Sequence, residues 1–226
     1  MSRPPMVEDE IIEVREKILD TAALIMMEEG FYGLSMRKIG KRLGMTGANL
    51  YNYYSNKDEI NIAIRLRAGR LLFNVLESAY EGGRTLSEKL WRMIRAAVSF
   101  GITQSPYYGI LVDLPTPKYT DYIGTPQEAL AKEELDSSLR SWQLVIQCME
   151  EFTASGGHIP GNIKDFQIAL WSQVHGLISL YNNGLLSLLE DAPEERVGEV
   201  AKLLYEIVCR MLNIAPVTID NESNFL

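Results

Sequence analysis

The chain is short of the residues from which covalent and metal-bound frameworks are made. Its two cysteines, Cys148 and Cys209, lie far apart, which suggests neither a disulfide framework nor a zinc spacing. Two histidines, His158 and His175, give no basis for a histidine-rich metal site. No metal and no cofactor are therefore expected. Long apolar runs are missing too: nothing approaches the roughly 18 residues that a bilayer-spanning helix requires. The first residues, MSRPPMVEDEIIEVREK, hold no apolar stretch of a secretory leader. The expectation is a cytoplasmic protein without a membrane partner. Strand-like alternation and internal repeats are absent as well. What remains is a chain of 226 residues, 46% hydrophobic and 23% charged, able to bury a core.

A further absence is local. The net charge of −8 argues at first against a polyanionic partner, yet no acid occurs between Gly30 and Lys57, where Arg37, Lys38, Lys41, Arg42 and Lys57 are basic. Residues 1–70 carry 11 basic and 10 acidic side chains, and the remainder 11 and 20. A solvated helix face would show the same local pattern, so charge alone leaves both readings open. The motif decides.

Helical periodicity runs through the chain. Ile11, Val14, Ile18, Ala22, Ile25 and Met26 recur at steps of three and four, so a first helix ends near Gly30. Ser35 is a good N-cap for a short second helix that Gly44 stops. Thr46 caps a third, GANLYNYY, and Asn56 with Glu59 resembles a capping box opening a fourth to about Glu81. Further helices are expected at 85–104, 106–114, 127–155, 163–188 and 193–213, with an irregular stretch around PTPKYTDYIGTP. The fold class is all-α with about nine helices.

The second and third helices, joined by a tight turn at Gly44, fit a helix-turn-helix, which presents the N-terminal residues of its second helix to the DNA major groove. Those residues are Thr46, Gly47, Ala48 and Asn49. Gly47 and Ala48 are small enough for close backbone approach, and Asn49 offers a donor and an acceptor to a base edge. At about 100° per residue, Leu50 and Tyr54 share one face and pack inward. Tyr51, Asn52 and Tyr53 then remain for phosphate oxygens, where contacts fix register rather than sequence.

GFYGLSMRKIGKRLGMTGANLYNYYSNKDEI (30–60), extended back through REKILDTAALIMMEEG (15–30), resembles the signature of the tetracycline-repressor (TetR) family of bacterial transcription regulators. Gly30, Ile39, Leu43, Gly44, Leu50, Tyr51, Tyr53 and Lys57 stand at family spacing. Gly40 replaces the usual alanine and should loosen the second helix, by up to about 1 kcal/mol. The resemblance implies that Ser35, Arg37 or Lys38, Thr46, Tyr51, Asn52, Tyr53 and Lys57 grip backbone while Gly47, Ala48 and Asn49 face bases. It also implies a DNA-binding domain at 1–56 followed by a helical effector-binding and dimerisation domain at 57–226.

In that second part LWSQVHGLISLYNNG (170–184) is similar to a Trp-His-Gly pattern of some family members. His175 there suits either a hydrogen-bonded core or a ligand contact. Trp91, Arg95, Tyr107, Tyr108, Trp142, Trp171 and His175 are the candidate contacts for a small, largely apolar effector, though the aromatic ones equally suit a bundle core. Leu177 and Tyr181, with Val200, Leu204, Ile207 and Met211, widen the apolar faces of the last two helices enough for a two-fold interface. The expected protein is a homodimeric repressor released from a palindromic DNA operator by a small molecule. Control by a protein partner is one alternative. A helical enzyme using His175 with Glu150 or Glu151 is another, against which no nucleophile–base arrangement can be read.

Overall fold

A computed structural model describes residues 8–218. Among these are ten α-helices and one short 3-10 turn, with no strand: α1 (Glu8–Gly33), α2 (Met36–Leu43), α3 (Gly47–Leu50), α4 (Lys57–Glu81), α5 (Leu86–Thr103), α6 (Ser105–Val112), α7 (Tyr119–Tyr122), α8 (Glu128–Ala154), α9 (Ile163–Asn182) and α10 (Pro193–Leu212). The all-α expectation holds. No described helix is long and apolar enough to cross a membrane.

Several boundaries follow from local chemistry. Gly30 takes φ 72° and ψ 174° inside α1, so the first helix breaks where the sequence suggests. The helix expected across 163–188 stops at Asn182, because Gly184 enters the left-handed region at φ 70°. Leu186–Leu188 then form only the 3-10 turn. In the stretch expected to be irregular, α7 forms because the Asp121 carboxylate accepts the Lys118 amide at 2.8 Å. Gly124, in the left-handed region at φ 78°, ends it after one turn.

The chain divides into two compact units, each assembled from two separate stretches: Met1–Gly69 with Pro106–Ser137, and Arg70–Ser105 with Ser138–Leu226. In the first, α1 packs on α2 and α2 on α3, burying Ile18, Ala22, Ile25, Met26, Ile39 and Leu50. Ile62 of α4, Tyr122 of α7 and Ala131 of α8 form a further buried cluster. A buried ion pair joins Arg65 of α4 to Glu134 of α8 at 3.0 Å. Removing either partner would strand the other charge, at a cost of about 3–5 kcal/mol.

In the second unit α5, α9 and α10 pack on one another. The Tyr205 hydroxyl, wholly buried on α10, meets the Ser87 hydroxyl of α5 at 2.6 Å and accepts the Val217 amide at 2.8 Å. Gly101 sets how closely α5 approaches α9, for a Cβ there would stand 2.6 Å from the Ile178 side chain. The Asn182 amide also donates to the Gly101 carbonyl at 2.9 Å. Ile178 is β-branched and stiff, so it yields poorly. Gly101→Ala is expected to cost about 1–3 kcal/mol of stability, read by denaturant unfolding of the full chain. An unchanged midpoint would show that α5 and α9 separate without penalty.

Candidate nucleic-acid interface

The helix-turn-helix rests on three caps. The Ser35 hydroxyl accepts the Lys38 amide at 3.3 Å, opening α2 from an extended residue. Gly44 closes α2 in the left-handed region at φ 65°, and the Met45 amide turns back to the Gly40 carbonyl at 2.9 Å. Thr46 then accepts the Asn49 amide at 3.3 Å and opens α3. Gly40 has a reason that helix propensity does not reveal: a Cβ there would lie 2.9 Å from the Met45 carbonyl oxygen. The turn folds back so tightly that only glycine fits this geometry unstrained. After α3, the Asn56 side chain accepts the Glu59 amide at 2.9 Å, while the Glu59 carboxylate reaches back to Ser55 at 2.7 Å.

These caps present a continuous exposed edge. Thr46, Gly47, Ala48 and Asn49 are exposed, Leu50 beneath them is fully buried, and Tyr51 and Asn52 are exposed again, Tyr51 by 56%. Ser35 and Lys38 are half-buried and Arg37 is exposed. Tyr53 departs from the expected arrangement. It is only 8% exposed, not part of the surface with Tyr51 and Asn52. The cause is the shortness of α3. Past Leu50 the chain continues in tight turns, with the Tyr53 amide on the Leu50 carbonyl at 3.0 Å. Three residues per turn place Tyr53 over buried Leu50, where a 100° spacing would have turned it outward. Arg15 of α1 fixes this end, donating to the Tyr53 carbonyl at 3.0 Å with its guanidinium 4.3 Å from the Tyr54 ring centre. Burial accordingly raises the Tyr54 phenol above its ordinary pKa.

The cations of the acid-free window are partly engaged. Lys38 pairs with Glu29 and donates to the Gly33 carbonyl at 2.8 Å. Arg42 grips the Glu28 carboxylate with both terminal nitrogens, which holds that carboxyl below its usual range. Lys57 lies 4.4 Å from the Phe31 ring centre and 5.7 Å from that of Tyr32. Arg37 and Lys41 are exposed and make no ion pair among the described residues. Glu28 and Glu29, immediately before the window, are the signal that counting charges within it misses.

The candidate effector residues fall in both units. Trp142, Trp171 and His175 do come together in the second unit: the indoles meet edge-on at 6.4 Å, and Trp171 stacks on the His175 ring at 5.3 Å. Trp171 is 42% exposed. Trp91 lies 5.4 Å from the Tyr205 ring, and Arg95 is half-buried on the same helix, α5. Tyr107 and Tyr108 belong instead to the first unit, on α6. There the Tyr107 hydroxyl donates to Asp20 of α1, and Arg67 stands 5.0 Å from its ring centre. Burial raises both phenols.

Of the residues expected at a two-fold interface, Leu177 is buried within its own unit and is unavailable to a partner. Tyr181, Val200 and Leu204 are half-buried, Ile207 is 37% exposed and Met211 46%. Leu203 on α10 and Ile168 and Leu180 on α9 are exposed apolar residues that periodicity did not single out. Glu151 is a poor catalytic base. Bonds from Tyr80, then Lys89 and Gln147, pull its carboxyl down to about 2.

Residues 18–64 match the sequence profile of bacterial regulatory proteins, tetR family, and residues 90–203 match that of the tetracyclin repressor-like C-terminal domain. An HTH-type transcriptional regulator of Mycobacterium tuberculosis is 25% identical over 109 residues, 47% of each chain. The chain thus spans about half the length of the curated relatives it matches. A tetR-family regulatory protein from Rhodococcus superposes with a TM-score of 0.68 at 16% identity, covering 89% of this chain and 97% of that one. For the TetR family transcriptional regulator PfmR from Thermus thermophilus the TM-score is 0.65 at 19% identity, covering 88% and 99%. The family and these relatives are regulators rather than enzymes. With its C-terminal match spanning half the sequence and its N-terminal match lying on the capped helix-turn-helix, the chain belongs to the tetR family of DNA-binding transcriptional regulators.

Proposed function

We propose that this regulator is a homodimeric, ligand-responsive repressor acting in the cytoplasm on a palindromic operator. The observation that carries the reading is the exposed edge from Thr46 to Asn52 pinned at Leu50. Asn49 is the base reader, with adenine its geometrically preferred partner, and Gly47 and Ala48 allow close approach. Ser35, Arg37, Lys38, Thr46, Tyr51, Asn52 and Lys57 hold phosphates. Tyr53 is left out of this set because its side chain is nearly withdrawn from solvent.

On this reading the functional division is a DNA-binding part at 1–56 and an effector and dimerisation part at 57–226, the outermost residues of which lie outside the described chain. The effector is a largely apolar small molecule contacting some of Trp91, Arg95, Trp142, Trp171 and His175. Its binding favours a dimer whose recognition helices no longer match successive major grooves, which requires different affinities for the two states. Dimerisation uses the exposed stripe of α10, where Leu203, Ile207 and Met211 recur every fourth residue with Val200 and Leu204 beside them.

Three measurements test this. Replacing Arg37, Tyr51 and Lys57 together by alanine should weaken binding to all DNA sequences and lower its salt dependence, whereas Asn49→Ala should also relax base preference. Equal operator affinity of the triple variant and the native protein would remove the assignment. Glu28→Gln with Glu29→Gln releases Arg42 and Lys38, so non-specific DNA binding should tighten and steepen with falling salt, while stability changes little because both pairs are exposed. Unaltered salt dependence would show that those cations never meet phosphate. Ile207→Glu places a charge in the proposed seam, where desolvation is costly, and should give monomers with steeply reduced operator affinity. Sedimentation showing an intact dimer would put the interface elsewhere.

A further inference from the structure

Lys57 is held differently from the other cations of the acid-free window. Lys38 and Arg42 engage the carboxylates of Glu29 and Glu28. Arg37 and Lys41 stand exposed without ion pairs among the described residues. Lys57, half-buried at the first position of α4, makes neither an ion pair nor a hydrogen bond among those residues. Two aromatic faces hold it instead: its Nζ lies 4.4 Å from the ring centre of Phe31 and 5.7 Å from that of Tyr32. The carboxylates that follow it in sequence are occupied elsewhere. Glu59 accepts the Ser55 amide and hydroxyl, and Asp58 accepts the Tyr122 hydroxyl at 3.4 Å.

Burial explains one ring and not the other. Phe31 belongs to the core, whereas Tyr32 is 82% exposed and meets Phe31 edge-on, with ring centres 5.5 Å apart. A lone exposed aromatic calls for no explanation; one whose face meets a lysine does. The negative face of a ring attracts an ammonium while leaving its N–H groups for an oxygen. A carboxylate would steady the same lysine only by taking those donors and cancelling its charge. Local folding puts the rings in place. Gly30 breaks α1 immediately before them, and the Leu34 amide turns back to the Phe31 carbonyl at 3.1 Å just ahead of Ser35.

We propose that Phe31 and Tyr32 are positioning residues for DNA binding, whose rings steady the Lys57 ammonium for a backbone phosphate with its donors unengaged. A lysine free in water gives up much of its rotamer freedom when an anion fixes it. One already resting on two rings gives up less, because affinity scales with the fraction of molecules that hold the binding-competent arrangement beforehand. The end of α1 and the start of α4 thereby act as one element beside Ser35 and Arg37. The inference rests on the reading of Lys57 as a phosphate contact, and it adds two residues that act through Lys57 rather than on DNA.

Binding of the full chain to a fluorescent, mixed-sequence duplex of about 30 base pairs tests it over a range of salt, since phosphate contacts do not depend on sequence. Lys57→Met should weaken binding and lower the slope of log affinity against log salt by about 0.9, one phosphate contact. Tyr32→Leu should weaken it about two- to fivefold, the size of an exposed cation–π contact, with the fold intact by circular dichroism because Tyr32 is exposed. Tyr32→Phe keeps the ring face and should bind as the native chain does. In the Lys57→Met background Tyr32→Leu should change nothing. A Tyr32→Leu loss that persists in that background overturns the positioning role. So does a Tyr32→Phe loss as large as that of Tyr32→Leu, which would put the hydroxyl on DNA. Native or tighter binding by Tyr32→Leu overturns it too, for the rings would then either not steady Lys57 or hold it back from phosphate. Native affinity and slope in Lys57→Met remove the phosphate contact itself, a failure of the underlying reading that shows before either ring is changed.

Discussion

A single turn of helix has no stability of its own, because nucleation costs more than its few hydrogen bonds return. The α3 turn therefore depends on Leu50, wholly buried beneath it, for its orientation. Arg15 holds the far end through the Tyr53 carbonyl and the Tyr54 ring, and Thr46 and Gly44 define the near end. Every side chain offered outward, from Thr46 to Asn52, is aimed by that anchoring. The apolar burial and the polar presentation are two faces of one arrangement.

Electrostatics then adjusts what the geometry presents. A protein of net charge −8 meets a polyanion through a head whose cations are held in two ways. Lys38 and Arg42 lean on Glu29 and Glu28, while Arg37 and Lys41 project without ion pairs among the described residues. Exposed pairs of this kind are weak, so a phosphate can displace the carboxylates at little cost. The pairing still lowers the field that the free protein projects, which favours a fitted complex over loose attachment to any polyanion.

The head was legible in the sequence because its signals are local. Ser35, Gly44 and Thr46 cap where their side-chain chemistry and backbone freedom say they should. Tyr53 was not legible, since an angular wheel assumes an α-helix and the chain leaves that geometry at Leu50. Gly40 read as a weakness until the Met45 carbonyl was seen to close over it. Farther along, periodicity identified helices but not their neighbours. Tyr107 and Tyr108 look like bundle aromatics in the sequence, yet their helix folds back into the unit of α1. Leu177 satisfies a stripe on paper and faces its own core in space. The buried pair of Arg65 and Glu134 was invisible because its members come from separate stretches of chain.

That same discontinuity sets an order of events at birth. The first unit cannot close until residues up to 137 have left the ribosome, because Arg65 finds Glu134 only then. Synthesis at about 5–20 residues per second separates the end of its first stretch from the end of its second by roughly 3–14 s. Through that interval Arg65 stays hydrated, and Ile62 waits for Tyr122 and Ala131. Until then the long-range seam of the first unit stays open, and the apolar side chains that it will bury remain in water.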